Sequence, residues 1–153
     1  MDARADLLAP CDPAEVFAWV DDLSRYPSWM RLVHRADAEP TSSTGADPAW
    51  AVELRGRLGP FARSKRLRML RTACDEPNHV RFERREVDGR RHSPWVLDVQ
   101  IRPATAAEGS AGTKLEMSLH YGGRLWSPLL ERLLHDEIER GRDRLLVLLS
   151  SDG

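Results

Sequence analysis

From Trp50 to Tyr121 apolar and polar residues alternate in run after run, and a single long amphipathic pattern follows. Trp50, Val52, Leu54 and Leu58 alternate with Ala51, Glu53, Arg55 and Arg57. The same rhythm recurs at Leu67 and Met69, at Val80 and Phe82, from Trp95 through Leu97 and Val99 to Ile101, and from Leu115 through Met117 and Leu119 to Tyr121. A period of two is the mark of a strand with one face in the core and one in water. A sheet of such strands must cover its apolar face. The cover comes from Leu130, Leu134, Ile138, Leu145 and Leu148, which share one helical stripe opposite Glu131, His135, Glu139 and Arg142. Ser127 and Pro128 suit the cap and first residue of that helix, which runs to about Ser150.

The N-terminal third is different. A short strand is expected from about Ala3 to Ala9. Asp12-Pro13-Ala14-Glu15 reads as a capping box opening a helix, with Val16, Phe17, Val20 and Leu23 on one face. Pro27 interrupts, so a second short helix is expected around Tyr26 to Met30. Arg31 to Glu39 is expected as a strand, and Pro40 to Pro48 and residues 103 to 112 as loops. Turns at Gly59-Pro60 and Asp88-Gly89 set two hairpins. The first puts Val52 opposite Leu67 and Trp50 opposite Met69. The second puts Phe82 opposite Trp95 and Val80 opposite Leu97. In both, the apolar residues fall on one face. The expected class is α+β: a curved antiparallel sheet of about seven strands around a long C-terminal helix, with two short helices after the first strand and space between sheet and helix.

Composition narrows the function classes. Residues 1–153 fit one domain. The longest aliphatic run, Leu145 to Leu149, is far short of the ~20 residues of a membrane helix. No secretory signal is visible, so a cytoplasmic protein with no integral membrane association is expected. Cys11 and Cys74 have neither metal nor redox spacing, and are read as free thiols too far apart to bridge. A net charge of −1 argues against a nucleic-acid partner. Among 23 basic residues only Lys65 and Lys114 are lysines, a skew that lowers the weight of any single arginine. His34, His79, His92, His120 and His135 show no ligand spacing, so no metal is expected, and no cofactor motif is present.

The chain resembles the START-like (SRPBCC, helix-grip) superfamily, in its polyketide cyclase/dehydrase and lipid transport branch. The resemblance is carried by Ala9-Pro10-Cys11-Asp12-Pro13-Ala14-Glu15-Val16-Phe17 and Leu23-Ser24-Arg25-Tyr26-Pro27-Ser28-Trp29-Met30. Trp95, Gly112-Thr113-Lys114-Leu115 and the helix ending Leu145-Leu146-Val147-Leu148-Leu149 extend it. It implies an internal cavity for a small hydrophobic molecule, in a fold that hosts carriers, cyclases, sensors and chaperone activators alike.

The inner face supplies the candidates. Tyr26, Trp29, Trp50, Leu67, Met69, Phe82, Trp95, Met117, Tyr121 and Leu134 are expected to line the cavity or fill the core around it. Arg63, Lys65, Arg84 and Glu86 share their face nearer the hairpin tips. They either give an amphipathic ligand a polar end or are solvated where the sheet runs out. Glu137 and Gly141 interrupt the helical stripe. Glu137 is either a buried functional carboxylate that Arg84 or Tyr121 could partner, half of a structural ion pair with an inner-face arginine, or an edge position that reaches solvent. Gly141 either leaves room for ligand or lets the helix approach closely. Two principal functions stand: a carrier of a hydrophobic or amphipathic molecule, or a polyketide cyclase or aromatase with Glu137, Arg84 and Tyr121 as catalytic candidates. An interaction module using the outer basic residues is the third. Oligomeric state stays open.

Overall fold

The computed structural model describes residues 2–40, 46–58, 61–105, 108–122 and 128–151, with side chains at all of these except 57, 58, 61–63, 128–131 and 151. Strand β1 (Asp2–Ala9) leads into helix α1 (Pro13–Val20) and a 3-10 helix (Leu23–Ser28). Strands β2 (Val33–Ala38), β3 (Ala49–Leu58), β4 (Phe61–Asp75), β5 (His79–Arg84), β6 (Trp95–Thr105) and β7 (Ala111–Tyr121) follow, and helix α2 (Pro128–Ser151) comes last. The seven strands form one antiparallel sheet in the order β1-β7-β6-β5-β4-β3-β2. Register shifts between Val33 and Arg35 and between Arg71 and Ala73 mark bulges, which bend and twist a sheet. Leu134, Leu145 and Leu149 of α2 enter one core with Trp50, Phe82 and Val99 of the inner sheet face. This is an α+β helix-grip architecture.

The β3–β4 hairpin has the expected register, Val52 against Leu67 and Trp50 against Met69. Its turn at Gly59-Pro60 lies outside the described residues, as do the Ser127 cap and the side chains of Leu58, Arg63, Leu130 and Glu131. The β5–β6 pair differs: Phe82 faces Leu97 and Val80 faces Val99, two residues from expectation. The reason is that β5 stops at Arg84 and β6 begins at Trp95, so Asp88-Gly89 sits within a ten-residue connection rather than forming a two-residue turn. Gly89 does take a left-handed conformation, φ 72°. Because the slip is even, every side chain keeps its face.

The capping box is also absent. Asp12 occupies the N-cap, but its carboxylate makes no capping bond, because its carbonyl already accepts from the Glu15 and Val16 amides. The working cap is Asp22. Its Oδ1 accepts from the Ser24 amide (2.9 Å) and hydroxyl (2.6 Å), starting the 3-10 helix three residues earlier than expected. The same oxygen accepts from Trp50 Nε1 at 3.1 Å, pinning this segment to β3. On α2, Leu149 takes the fully buried place expected of Leu148, which is only half-buried. Cys11 and Cys74 are not joined in a disulfide.

Candidate functional site

Alternation puts Val52, Leu54, Leu67 and Met69 on the inner face of β3 and β4, and Trp95, Leu97, Met117 and Leu119 on that of β6 and β7. On β1 the matching positions are Ala3 and Ala5, which face Leu119 and Met117. Two methyl side chains there leave room that larger residues would fill. All ten residues line a cavity of about 100 Å³. Its remaining wall is Ile138 of α2 together with Leu23, Tyr26, Met30, Leu32 and Val33. The lining carries no charge. Its phenol, Tyr26, donates to the Val20 carbonyl at 2.9 Å. Burial, with Asp21 and Asp22 nearby, pushes that hydroxyl well above the usual tyrosine range, so it stays protonated.

A smaller void of about 10 Å³ adjoins it, sharing Ala5, Met30, Met117 and Ile138 and adding Trp29 and Arg142. Met30 stands between the two voids because α2 presses on it. A Cβ on Gly141 would lie 2.6 Å from Met30 Cε and 3.3 Å from the Trp29 carbonyl oxygen. Of the two readings of Gly141, close approach is the one its surroundings show. Methionine is the most adaptable apolar side chain, and Met30, Met69 and Met117 all flank this space.

Among the described side chains, two cations share the inner face at the polar end. Lys65 pairs across the ladder with Leu54, and Arg84 with Met69, both cavity residues. Arg84, with its side chain 9% exposed, donates from each of its three nitrogens. Its Nε donates to Glu86 Oε1 (2.9 Å), Nη1 to the Ser93 carbonyl (3.3 Å), and Nη2 to His92 Nδ1 (3.3 Å). An arginine only donates, so Nδ1 accepts and His92 Nε2 carries the proton toward Asp88, 2.8 Å away. Glu86 Oε1 also accepts from the Arg68 amide at 3.1 Å. Burial alone would raise the Glu86 pKa. The hydrogen bonds from Arg84 and the Arg68 amide outweigh it and hold the carboxyl below its usual range. Lys65 is half-buried, and among the described residues it makes no hydrogen bond or ion pair. Burial, then the Arg84 charge, lowers its pKa.

The other expected site residues fall into two groups. Trp50, Phe82, Tyr121 and Leu134 are buried in the core. Trp50 packs edge-on against Phe82, and Tyr121 stacks on Trp95 with centroids 5.3 Å apart. Glu137 is not buried against the sheet. Its side chain is 26% exposed and pairs with Arg140 at 3.2 Å, one turn along the same helix, rather than with Arg84 or Tyr121. Each of the three catalytic candidates therefore makes its described contacts separately: Glu137 with Arg140, Arg84 with the 85–94 connection, Tyr121 with Trp95. Of the residues missed from sequence, Ala3, Ala5 and Val33 lie on strands, whereas Leu23, Met30 and Leu32 come from the 3-10 helix and the connection before β2, where no alternation marks them. The signal available was the pair of alanines on an otherwise bulky inner face.

A larger hollow of about 380 Å³ on the outer face is bordered by Asn78, His79, Gln100, Arg102 and Glu116. Its charges pair with close neighbours, His79 with Asp98 and Arg102 with Glu116 at 2.6 Å. Among the described residues no group of three His, Cys, Asp or Glu could hold a metal ion, and no helix is long and apolar enough to cross a membrane.

The family described as polyketide cyclase/dehydrase and lipid transport matches residues 4–147. No curated protein matches the chain. Among solved structures, TTHA0849 from Thermus thermophilus aligns over 100% of this chain and 99% of its own, with TM-score 0.72 and 18% identity. A START superfamily protein from Mycobacterium smegmatis aligns over 99% of each chain, with TM-score 0.64 and 9% identity. DR_A0006 from Deinococcus radiodurans covers 96% of this chain and 98% of its own, with TM-score 0.61 and 18% identity. At such identities these likenesses speak to the fold.

Proposed function

This chain belongs to the polyketide cyclase/dehydrase and lipid transport family, a hydrophobic ligand-binding fold, and from that premise we propose that it carries a small hydrophobic or amphipathic molecule between the sheet and α2. The observation that carries this reading is the cavity wall. Its lining side chains carry no charge, and its one phenol is committed to a backbone carbonyl. A cyclase needs groups that polarise a carbonyl and move protons beside the reacting chain. Here the charged side chains gather at one end and the deep wall offers hydrocarbon, which favours holding a molecule over transforming it. A dry apolar cavity of roughly 150 Å³ accepts a benzene-sized guest. This one is smaller, so a longer guest needs its methionines to turn aside.

The test is native mass spectrometry of freshly purified protein, with titration of 1-octanol followed by tryptophan fluorescence. A hydrophobic adduct, or saturable octanol binding lost in Ala5→Phe with the circular dichroism spectrum unchanged, supports the reading. No adduct and no octanol binding would sink it.

A further inference from the structure

Lys65 is the unexplained charge at this site. It stands on the inner face, between its cross-strand partner Leu54 and Leu67 two residues on, both part of the cavity wall. A lysine there has two ordinary fates. It can pair with a carboxylate, or it can extend its ammonium into water. No such pair forms among the described residues: Glu86 is the near carboxylate, and its Oε1 accepts from Arg84 Nε and the Arg68 amide instead. Full hydration is denied as well, since the side chain is half-buried beside a second cation, Arg84. Among the described side chains, two cations therefore stand by one carboxylate at the edge of an otherwise uncharged cavity. The excess among them is one positive charge, and it rests on the cation that has no described partner.

We infer that the ligand of this cavity is an amphipathic carboxylate, whose acid group pairs with Lys65 Nζ while its hydrocarbon lies along Leu67 and Met69. This rests on the carrier reading and names the chemical class of its cargo. One negative charge balances the site without disturbing the Arg84–Glu86 pair, and a flexible ammonium suits a small anion of unfixed orientation. Arg84 takes no part, because each of its three nitrogens already donates within the protein.

The experiment compares octanoate with 1-octanol at pH 8, where the acid is ionised, by tryptophan fluorescence titration of the wild type and of Lys65→Met, Lys65→Gln and Lys65→Arg. The wild type is expected to bind octanoate about tenfold or more tighter than octanol. Lys65→Met and Lys65→Gln should lose that preference while keeping octanol affinity, and Lys65→Arg should retain it. Equal binding of acid and alcohol by the wild type overturns the inference and leaves the carrier reading standing. So does an acid preference that survives in Lys65→Met. Failure of both probes to bind the wild type overturns the carrier reading itself, and this inference with it.

Discussion

Lys65 and Arg84 stand on the same face of the same sheet, on neighbouring strands, each beside a cavity residue, yet their surroundings are opposite. Arg84 lies next to the ten-residue connection 85–94, which brings Glu86, His92 and Ser93 back onto its guanidinium. Lys65 lies on the β3–β4 hairpin, paired down to Leu58 and Phe61, and among the described residues no such connection reaches it. The difference separates a cation that holds the fold together from one left over for something else. A charge whose partners are all internal belongs to the structure. A half-buried charge without one is disfavoured by burial and calls for an outside explanation.

The largest expected effect tests the engaged side. Arg84→Met strands Glu86 with only the Arg68 amide, and breaking a buried pair costs about 3 kcal/mol. For a chain of this length the melting temperature should fall by about 10 °C, read by circular dichroism. The pH dependence has a definite sign. The Glu86 carboxyl is held below its ordinary 4.5, so the stability it brings is present above that pH and lost as pH falls through the lower folded-state value. The gap between wild type and Arg84→Met should therefore narrow on acidification below about 4.5. A drop of under 2 °C at neutral pH would place both cations in one class and dissolve the contrast.

Much of this arrangement is legible in the sequence, and the limits are physical. Alternation assigns faces by parity alone, so Lys65, Arg84 and Glu86 can be set on the inner face without knowing any loop. Parity survives an even slip, which is why the two-residue error at Phe82 and Val80 moves no side chain across the sheet. What parity cannot give is the partner. That depends on how residues 85–94 return, and a local turn signal at Asp88-Gly89 does not reveal it. Which of its readings Glu137 takes is hidden from the sequence for a related reason. A helical stripe fixes a direction but not the width of the contact. Gly141 faces Met30 squarely, and Glu137, about 40° round from it, reaches water. The cavity itself depends on two small residues, Ala3 and Ala5, whose effect is felt only once β1 is known to lie against Met117 and Leu119.

A change that alters the cavity but neither cation sharpens the contrast. Gly141→Leu drives a side chain into the space held by Met30 Cε and Sδ, and overpacking of this kind costs about 2 kcal/mol. Met30 must then swing into the cavity it lines. Octanol and octanoate should weaken together, by similar factors, with their ratio unchanged. If only the acid is affected, the carboxylate end lies near Met30 rather than near Lys65.

The unengaged side gives a smaller effect of opposite sign. In the folded state burial and Arg84 lower the Lys65 pKa below its ordinary 10.5. The unfolded chain then holds that proton more tightly, so stability should rise as pH climbs through the folded-state value toward 10.5. At neutral pH the charge works against folding. Lys65→Met should accordingly raise the melting temperature of the unliganded protein, by about 2 °C given its partial exposure. Loss of acid preference together with a gain in stability is the signature of a residue kept for binding. A melting temperature that falls would mean that Lys65 has a structural partner after all.

The smallest effect is expected at Glu137, and it calibrates the others. Its ion pair with Arg140 spans three residues on an exposed part of α2, with the arginine side chain 64% exposed. Pairs of that kind contribute about 0.3–0.5 kcal/mol, because water screens the charges and two long side chains must be held in place. Alanine also has a better helix propensity than glutamate, which offsets part of the loss. Glu137→Ala should therefore shift the melting temperature by no more than about 2 °C and leave octanoate and octanol titrations unchanged. Set beside Arg84→Met, it measures how much of an ion pair's worth comes from burial and shared hydrogen bonds rather than from charge alone. A loss at Glu137 approaching that at Arg84 would mean the carboxylate is buried against the sheet in solution, and the helix would have to be turned to bring it there.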